Sequence, residues 1–95
     1  MTRIKCGTKV TWNNWSGGYG REKTGILLAF VPKQANVFQE YPNFQNIPKS
    51  RHKFTNRESL SADRYLVEVQ RSDKSGKVLE SHFYCPFAGV VERQN

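Results

Sequence analysis

The stretch from Arg64 to Arg93, RYLVEVQRSDKSGKVLESHFYCPFAGVVER, decides the fold because alternation, turn chemistry and strand-forming residues agree there. Apolar and polar residues alternate over residues 65–70 and again over residues 78–85, which predicts two strands. Between them, Gly76 can supply the left-handed conformation that a short hairpin loop needs. Pro86 then ends the second strand, because its nitrogen cannot donate to the ladder. The stretch therefore predicts a hairpin followed by a turn and a closing strand.

Two further strands are predicted upstream. Residues 8–12, TKVTW, alternate in a way that places Lys9 in water and Trp12 in the core. Residues 24–31, TGILLAFV, are apolar on both faces, which predicts a central strand. Between these strands, residues 13–21 contain three glycines and two asparagines. This composition predicts an irregular, flexible loop that carries large aromatic side chains.

The segment from residue 32 to residue 63 is too long for a plain connection in so small a domain. Residues 35–41 are predicted to form helical turns that end before Pro42, because the residue before a proline avoids the helical region. Residues 55–58, TNRE, fit a capping box at the start of another helical turn. We therefore expect a partly helical insertion between the second and third strands.

This order of elements is that of a small five-stranded SH3-like barrel, which makes the expected fold class mainly β. The stretches GTKV, GGYG and TGILL resemble the KOW and Tudor branch of that fold, where a glycine stands three residues before a valine and later glycines lead into a Gly-hydrophobic step. The matching positions are Gly7, Val10, Gly20, Gly25 and Ile26. The resemblance implies one barrel domain over residues 1–95, with the insertion at about residues 32–63.

The residues FYCPFAGVVERQN, 83–95, also resemble the end of plasmid-borne type II dihydrofolate reductases. In that family a tyrosine-proline turn is followed by a short helical turn and a Glu-Arg strand. The family lines a tetramer pore with a Val-Gln-Ile-Tyr run just before the proline, and here residues 82–85, HFYC, stand in its place. The glutamine and tyrosine that carry catalysis in the family are absent from the matching positions. The resemblance therefore implies the barrel, and we expect no reductase activity.

The positive charge is concentrated in the first part of the chain. The net charge is +7, and residues 1–57 contain ten Lys or Arg against two acids, whereas residues 58–95 contain five against six. The two parts thus have net charges of +8 and −1, which add up to the +7 of the whole chain. Such asymmetry indicates a polyanionic partner, either nucleic acid or an acidic protein surface. The alternative is a basic surface that keeps the protein soluble and binds nothing.

The strongest candidate site is the basic segment, residues 49–57, KSRHKFTNR, which has four fixed positive charges, one histidine and no acid. Lys and Arg release counterions from a phosphate backbone, and Arg can bind a phosphate bidentately. The alternative is a solvated loop. The candidate nucleic-acid-binding residues of this segment are Lys49, Arg51, His52, Lys53 and Arg57.

A second candidate combines aromatic and basic residues around the glycine-rich loop. Trp15 and Tyr19 are followed by Arg21 and Lys23, and Lys9 is expected to adjoin them. Aromatic rings beside cations are typical of surfaces on which bases stack. The same rings could instead form the groove with which SH3-like modules bind extended peptides, or fold over an open end of the barrel and bind nothing.

Catalysis and cofactors are not expected. No spacing supports a Ser-His-Asp or Cys-His arrangement, and two cysteines with two distant histidines are too few for a zinc site. Residues 1–5 lack the apolar segment of a signal peptide, and no run is long enough to span a membrane, so we expect a cytoplasmic protein. In that compartment, Cys6 and Cys85 are predicted to be two buried, reduced thiols.

Together these observations predict a small, basic, non-enzymatic barrel that binds nucleic acid, with DNA and RNA both open. The alternative is a protein-interaction module, an accessory or inhibitory subunit that docks on a nucleoprotein machine, as is typical of phage and mobile-element proteins. An exposed edge strand would in addition offer a route to homo-oligomers.

Overall fold

A computed structural model describes residues 3–16, 19–54 and 62–94, and for residues 14–16 and 19–21 it describes the backbone only. The fold is mainly β, as predicted. Five strands form one antiparallel sheet in the order β4-β3-β2-β1-β5. The sheet is not closed, so β4 and β5 are its edges. The strands are β1 Lys9–Ser16, β2 Tyr19–Val31, β3 Arg64–Ser72, β4 Val78–Tyr84 and β5 Glu92–Arg93.

The hairpin predicted from the deciding stretch is confirmed. The β3–β4 connection contains Gly76 with φ +89°, the left-handed conformation that the sequence assigned to it. The Asp73 carboxylate stabilises the turn by accepting hydrogen bonds from the backbone N–H groups of Ser75 and Lys77, each at 2.9 Å. After the turn, Ser81 and alternate residues beyond it are buried, as the pattern predicted.

Short helical elements follow β2. The helix α1, Val37–Glu40, begins at Asn36, whose side chain accepts a hydrogen bond from the Phe38 N–H at 2.8 Å. Gln39 completes the capping box. The helix is a single turn, shorter than the predicted residues 35–41, and its C-cap Tyr41 directly precedes Pro42. The described 3₁₀ turns are Pro42–Asn46, Lys49–Arg51 and Ala88–Val90, and the capping box predicted at residues 55–58 lies outside the described residues.

The sheet is buried on both faces. One apolar cluster is covered by α1 and the turns that follow it, and it contains Ala29, Val31, Val37, Phe44, Leu66, Phe83 and Cys85. The other lies on the opposite face and contains Val10, Trp12, Leu27, Tyr65, Val67 and Val91. Strand β2 serves both clusters because its register shifts between Leu27 and Ala29. The predicted central strand and the burial of Trp12 are thereby confirmed.

The prediction of an irregular loop over residues 13–21 is wrong. Strand β1 runs to Ser16 and β2 begins at Tyr19, with Trp15 paired to Gly20 and Ser16 paired to Tyr19. Only residues 17 and 18, both glycine, separate the two strands in sequence, and such dipeptides favour tight hairpins. Asparagine and glycine disfavour strands in general, but pairing along a long partner strand outweighs that preference here.

The two thiols differ. Both cysteines are free, but Cys85 is buried and Cys6 is exposed, so the prediction of two buried thiols is wrong for Cys6. Cys6 lies in the turn before β1, next to Gly7 with φ +87°, and this turn lies outside both apolar clusters. Burial raises the pKa of the Cys85 thiol to about 11. Cys85 is therefore unreactive at neutral pH.

Candidate functional site

Within the basic segment, Arg51 is bound to the edge of the sheet. Its Nε donates to the Ser81 carbonyl at 2.9 Å and its Nη2 donates to Ser81 Oγ at 2.8 Å. Ser81 Oγ in turn donates to Glu68 Oε2 at 2.5 Å. The guanidinium also lies 5.2 Å from the ring centroid of Phe83. Arg51 therefore fixes the segment to β4 and is not a freely extended cation.

The next two residues continue this attachment. The His52 ring stacks on the fully buried Phe44 with a centroid distance of 4.0 Å, and its backbone bridges Phe83 in parallel. The Lys53 N–H donates to the Phe83 carbonyl at 2.8 Å. Burial, followed by the charges of Lys49 and Arg51, lowers the pKa of His52. Residues 51–53 thus cover part of the edge of β4, which would otherwise be open to pairing.

Lys53 also lines a groove of about 360 Å³. Its lining combines four aromatic residues with small and polar ones, and no acidic residue is among the described residues that form it. The groove brings together the middle of β1, part of the basic segment, and the end of β4 with the turn that follows it. The lining residues are Trp12, Asn13, Lys53, Phe54, Tyr84, Cys85, Pro86, Phe87 and Val90.

A second cation, Lys23 on β2, lies next to one of the lining residues. Lys23 Nζ lies 5.4 Å from the centroid of the Tyr84 ring, and Trp12 packs edge-on against the same ring at 5.9 Å. A cation over an aromatic face is held by the ring quadrupole. Tyr84, which lines the groove, therefore holds Lys23 beside it.

Positive charge from several segments converges on His82, next to Tyr84. Burial is the main cause that lowers the pKa of His82, and the charges of Arg71, Lys53, Arg51 and Lys23 lower it further. These cations come from β2, β3 and the basic segment, so the fold gathers charges that are far apart in sequence. The surface beside the groove is consequently basic.

Several of the other predicted nucleic-acid-binding residues do not lie at the groove. Lys49 is exposed at the start of the 3₁₀ turn that contains Arg51, and Arg57 lies outside the described residues. Lys9 pairs with Ile26 whereas Trp12 pairs with Lys23, so Lys9 and Lys23 lie on opposite faces of the hairpin. The backbones of Trp15, Tyr19 and Arg21 lie in the hairpin strands, and their side chains lie outside the described part of the chain. The structure thus places Lys53 in the groove and Lys23 beside one of its rings, whereas Lys9 lies on the opposite face of the hairpin from Lys23.

Sequence reasoning missed the aromatic lining of the groove. Phe54, Tyr84 and Phe87 were not singled out, although Phe87 follows a strand-ending proline and is 46% exposed. An aromatic residue in the turn directly after a strand indicates an exposed ring. The signal is weak because only the fold places Phe54 and Phe87 in the same groove.

No family model, curated protein or solved structure matches this chain. Over the described residues, His, Cys, Asp and Glu form no group of three or more that could hold a metal ion. A helix long and apolar enough to cross a membrane is likewise not found in that part of the chain. The geometry of the groove and its charges therefore carries the functional interpretation.

Proposed function

We propose that the protein binds nucleic acid at the basic groove, as a binding protein and not as an enzyme. The observation that carries this proposal is an aromatic groove that Lys53 lines, with Lys23 over the ring of its lining residue Tyr84 and no acid in the described lining. Lys23 comes from β2 and Lys53 from the basic segment, thirty residues further along the chain. A surface assembled in this way suits a ligand that is both aromatic and anionic.

The charge around the groove supports the proposal. Lysines neutralise phosphates and release their counterions, which supplies most of the affinity in sequence-independent binding. Arg71 adds to the same basic surface, since its charge acts on His82 together with those of Lys53 and Lys23. Arg51 acts on His82 as well, so four cations contribute to this surface. The net charge of +7 adds long-range attraction for a polyanion.

We also infer that the open sheet is a partly open SH3-like barrel. Strand β5 pairs with β1 while β4 lies at the other edge, and a 3₁₀ turn, Ala88–Val90, directly precedes β5. The groove is lined by residues from β1, from the end of β4 and from this turn. A binding site between the edges of a partly open barrel would leave the buried core undisturbed.

Fluorescence anisotropy with labelled DNA and RNA, single- and double-stranded, tests the proposal. We expect binding at low salt, and we expect Lys53→Glu to weaken it at least tenfold. Lys9→Glu makes the same change of charge on the opposite face of the hairpin, so it should weaken binding much less. Equal losses in the two variants would show that net charge alone matters and would remove the groove from the proposal.

A second candidate function is a protein-interaction module, and the open side of β1 favours it. Within the described chain β5 pairs only with Val10 and Thr11, so the outer side of β1 beyond Thr11 has no strand beside it. An extended segment of an accessory-complex partner, or of a second copy, could add a strand there. Asn13→Pro would block this addition while keeping the β2 ladder, because the Asn13 N–H lies on the outer side. A complex that survives nuclease and is lost in this variant would favour this function.

A further inference from the structure

Two rings of the groove are already held in place on their inner side. The Arg64 guanidinium lies 4.5 Å from the centroid of the Phe87 ring, which is nevertheless 46% exposed. Phe54 stacks on Phe44 at 5.6 Å with an interplanar angle of 19°. Each ring thus has one side supported from within the protein while it also lines the groove. Binding of a planar ligand would therefore cost little side-chain conformational entropy, because both rings are already ordered.

The backbone around these rings is also anchored. The Tyr65 N–H donates to the Pro86 carbonyl at 3.1 Å, and the Ala88 N–H donates to the Asp63 carbonyl at 2.9 Å. Phe87 therefore lies between two residues that are hydrogen-bonded to the start of β3. On the other segment, the bond from Lys53 to Phe83 fixes the residue next to Phe54. Both rings are thus adjacent to backbone that is hydrogen-bonded to the sheet or to the residue before β3.

The size of the groove limits what can enter it. At about 360 Å³ it is at the small end of the range for ligand pockets. It is too small for a double helix or an α-helix, the latter being about 10 Å across. It can take one planar group with its sugar, and Lys53 and Lys23 are at hand for the adjoining phosphates.

We infer that the groove binds an unstacked base of a single-stranded nucleic acid, with the base against Phe87 and the flanking phosphates at Lys53 and Lys23. This inference rests on the proposed function and adds selectivity for single strands. In a duplex the bases stay paired and stacked, so only its phosphates can contact Lys53 and Lys23. One stacked base adds a factor of about 5 to 150 in affinity.

The test compares three ligands of about 10 nucleotides, a length within the usual site size. They are an oligothymidylate, an abasic strand with the same phosphates, and a duplex, all measured by anisotropy at one low salt concentration. The wild-type protein should bind the oligothymidylate about 5- to 150-fold more tightly than the abasic strand. It should also bind the oligothymidylate more tightly than the duplex.

Phe87→Ala should remove this advantage and leave the affinity for the abasic strand unchanged, whereas Phe87→Trp should retain the advantage. Unfolding cannot imitate the result, because it would weaken binding to the abasic strand as well. Val78→Ala, which truncates an apolar side chain that is 73% exposed near the β3–β4 turn, should change neither affinity. Equal affinity of the wild-type protein for all three ligands would overturn the inference and leave the proposed function standing. Binding to none of them would overturn both.

Discussion

Replacing Arg51 by methionine should destabilise the protein strongly, although Arg51 lies in a segment whose sequence predicts phosphate binding. Methionine keeps an apolar stem near Phe83 but removes the donors at 2.9 and 2.8 Å from Ser81. Each hydrogen bond from a charged donor is worth about 1.5 to 3 kcal/mol when fully buried. Because Arg51 is only half-buried, we expect a combined loss of about 2 to 3 kcal/mol.

Urea denaturation followed by tryptophan fluorescence measures this loss directly. For a domain of this size the loss corresponds to a fall in Tm of about 10 to 20 °C. Lys49→Met, two residues earlier and exposed, is the control and should change the free energy of unfolding by less than about 0.5 kcal/mol. If Arg51→Met were as stable as the control but bound nucleic acid less tightly, the attachment to β4 would be refuted and Arg51 would belong to the binding surface.

Three further outcomes follow from the structure. Gly25→Ala should lower the free energy of unfolding, measured by urea denaturation, by about 2 kcal/mol or more, because the new Cβ would lie 2.5 Å from the Glu68 carbonyl oxygen. Gly89→Ala is the control: its Cβ would meet nothing within 4 Å, so stability should be nearly unchanged. Stability should fall as the pH drops below about 6.5, because the pKa of His82 is lowered in the folded protein and the unfolded chain therefore binds a proton that the folded protein does not. His82→Gln should reduce that dependence, with His52 responsible for part of the rest, and an unchanged pH profile would contradict this assignment. In iodoacetamide labelling followed by mass spectrometry, the exposed Cys6 should react in the folded protein, whereas the buried Cys85 should react only after unfolding.

The sheet could be predicted from the sequence where local signals agreed. Alternation and Gly76 located the β3–β4 hairpin, and the two-faced apolar run of β2 identified a central strand. Both signals concern residues that are close in sequence. The hairpin formed by residues 9–31 was missed in part, because the composition of residues 13–21 opposes strand formation and only pairing overrides it.

The candidate site could be predicted only in outline. Charge counting located the basic segment, but it could not show that Arg51 is bound to Ser81, thirty residues away in sequence, while Lys53 faces the groove. The groove itself joins Trp12, Phe54 and Phe87, and no local pattern relates these positions. Periodicity and spacing report neighbours along the chain, whereas this site is built from neighbours across the sheet.

The salt dependence of binding tests the central claim most directly. The affinity for a labelled single strand should be measured across a range of salt concentrations for the wild-type protein and for Lys53→Gln. We expect the logarithm of the affinity to fall linearly with the logarithm of the salt concentration, and the variant to have a slope that is shallower by about 0.7, the value for one lost phosphate contact. An identical slope in the two proteins, or wild-type binding that does not respond to salt, would contradict the assignment of the groove as a nucleic-acid site.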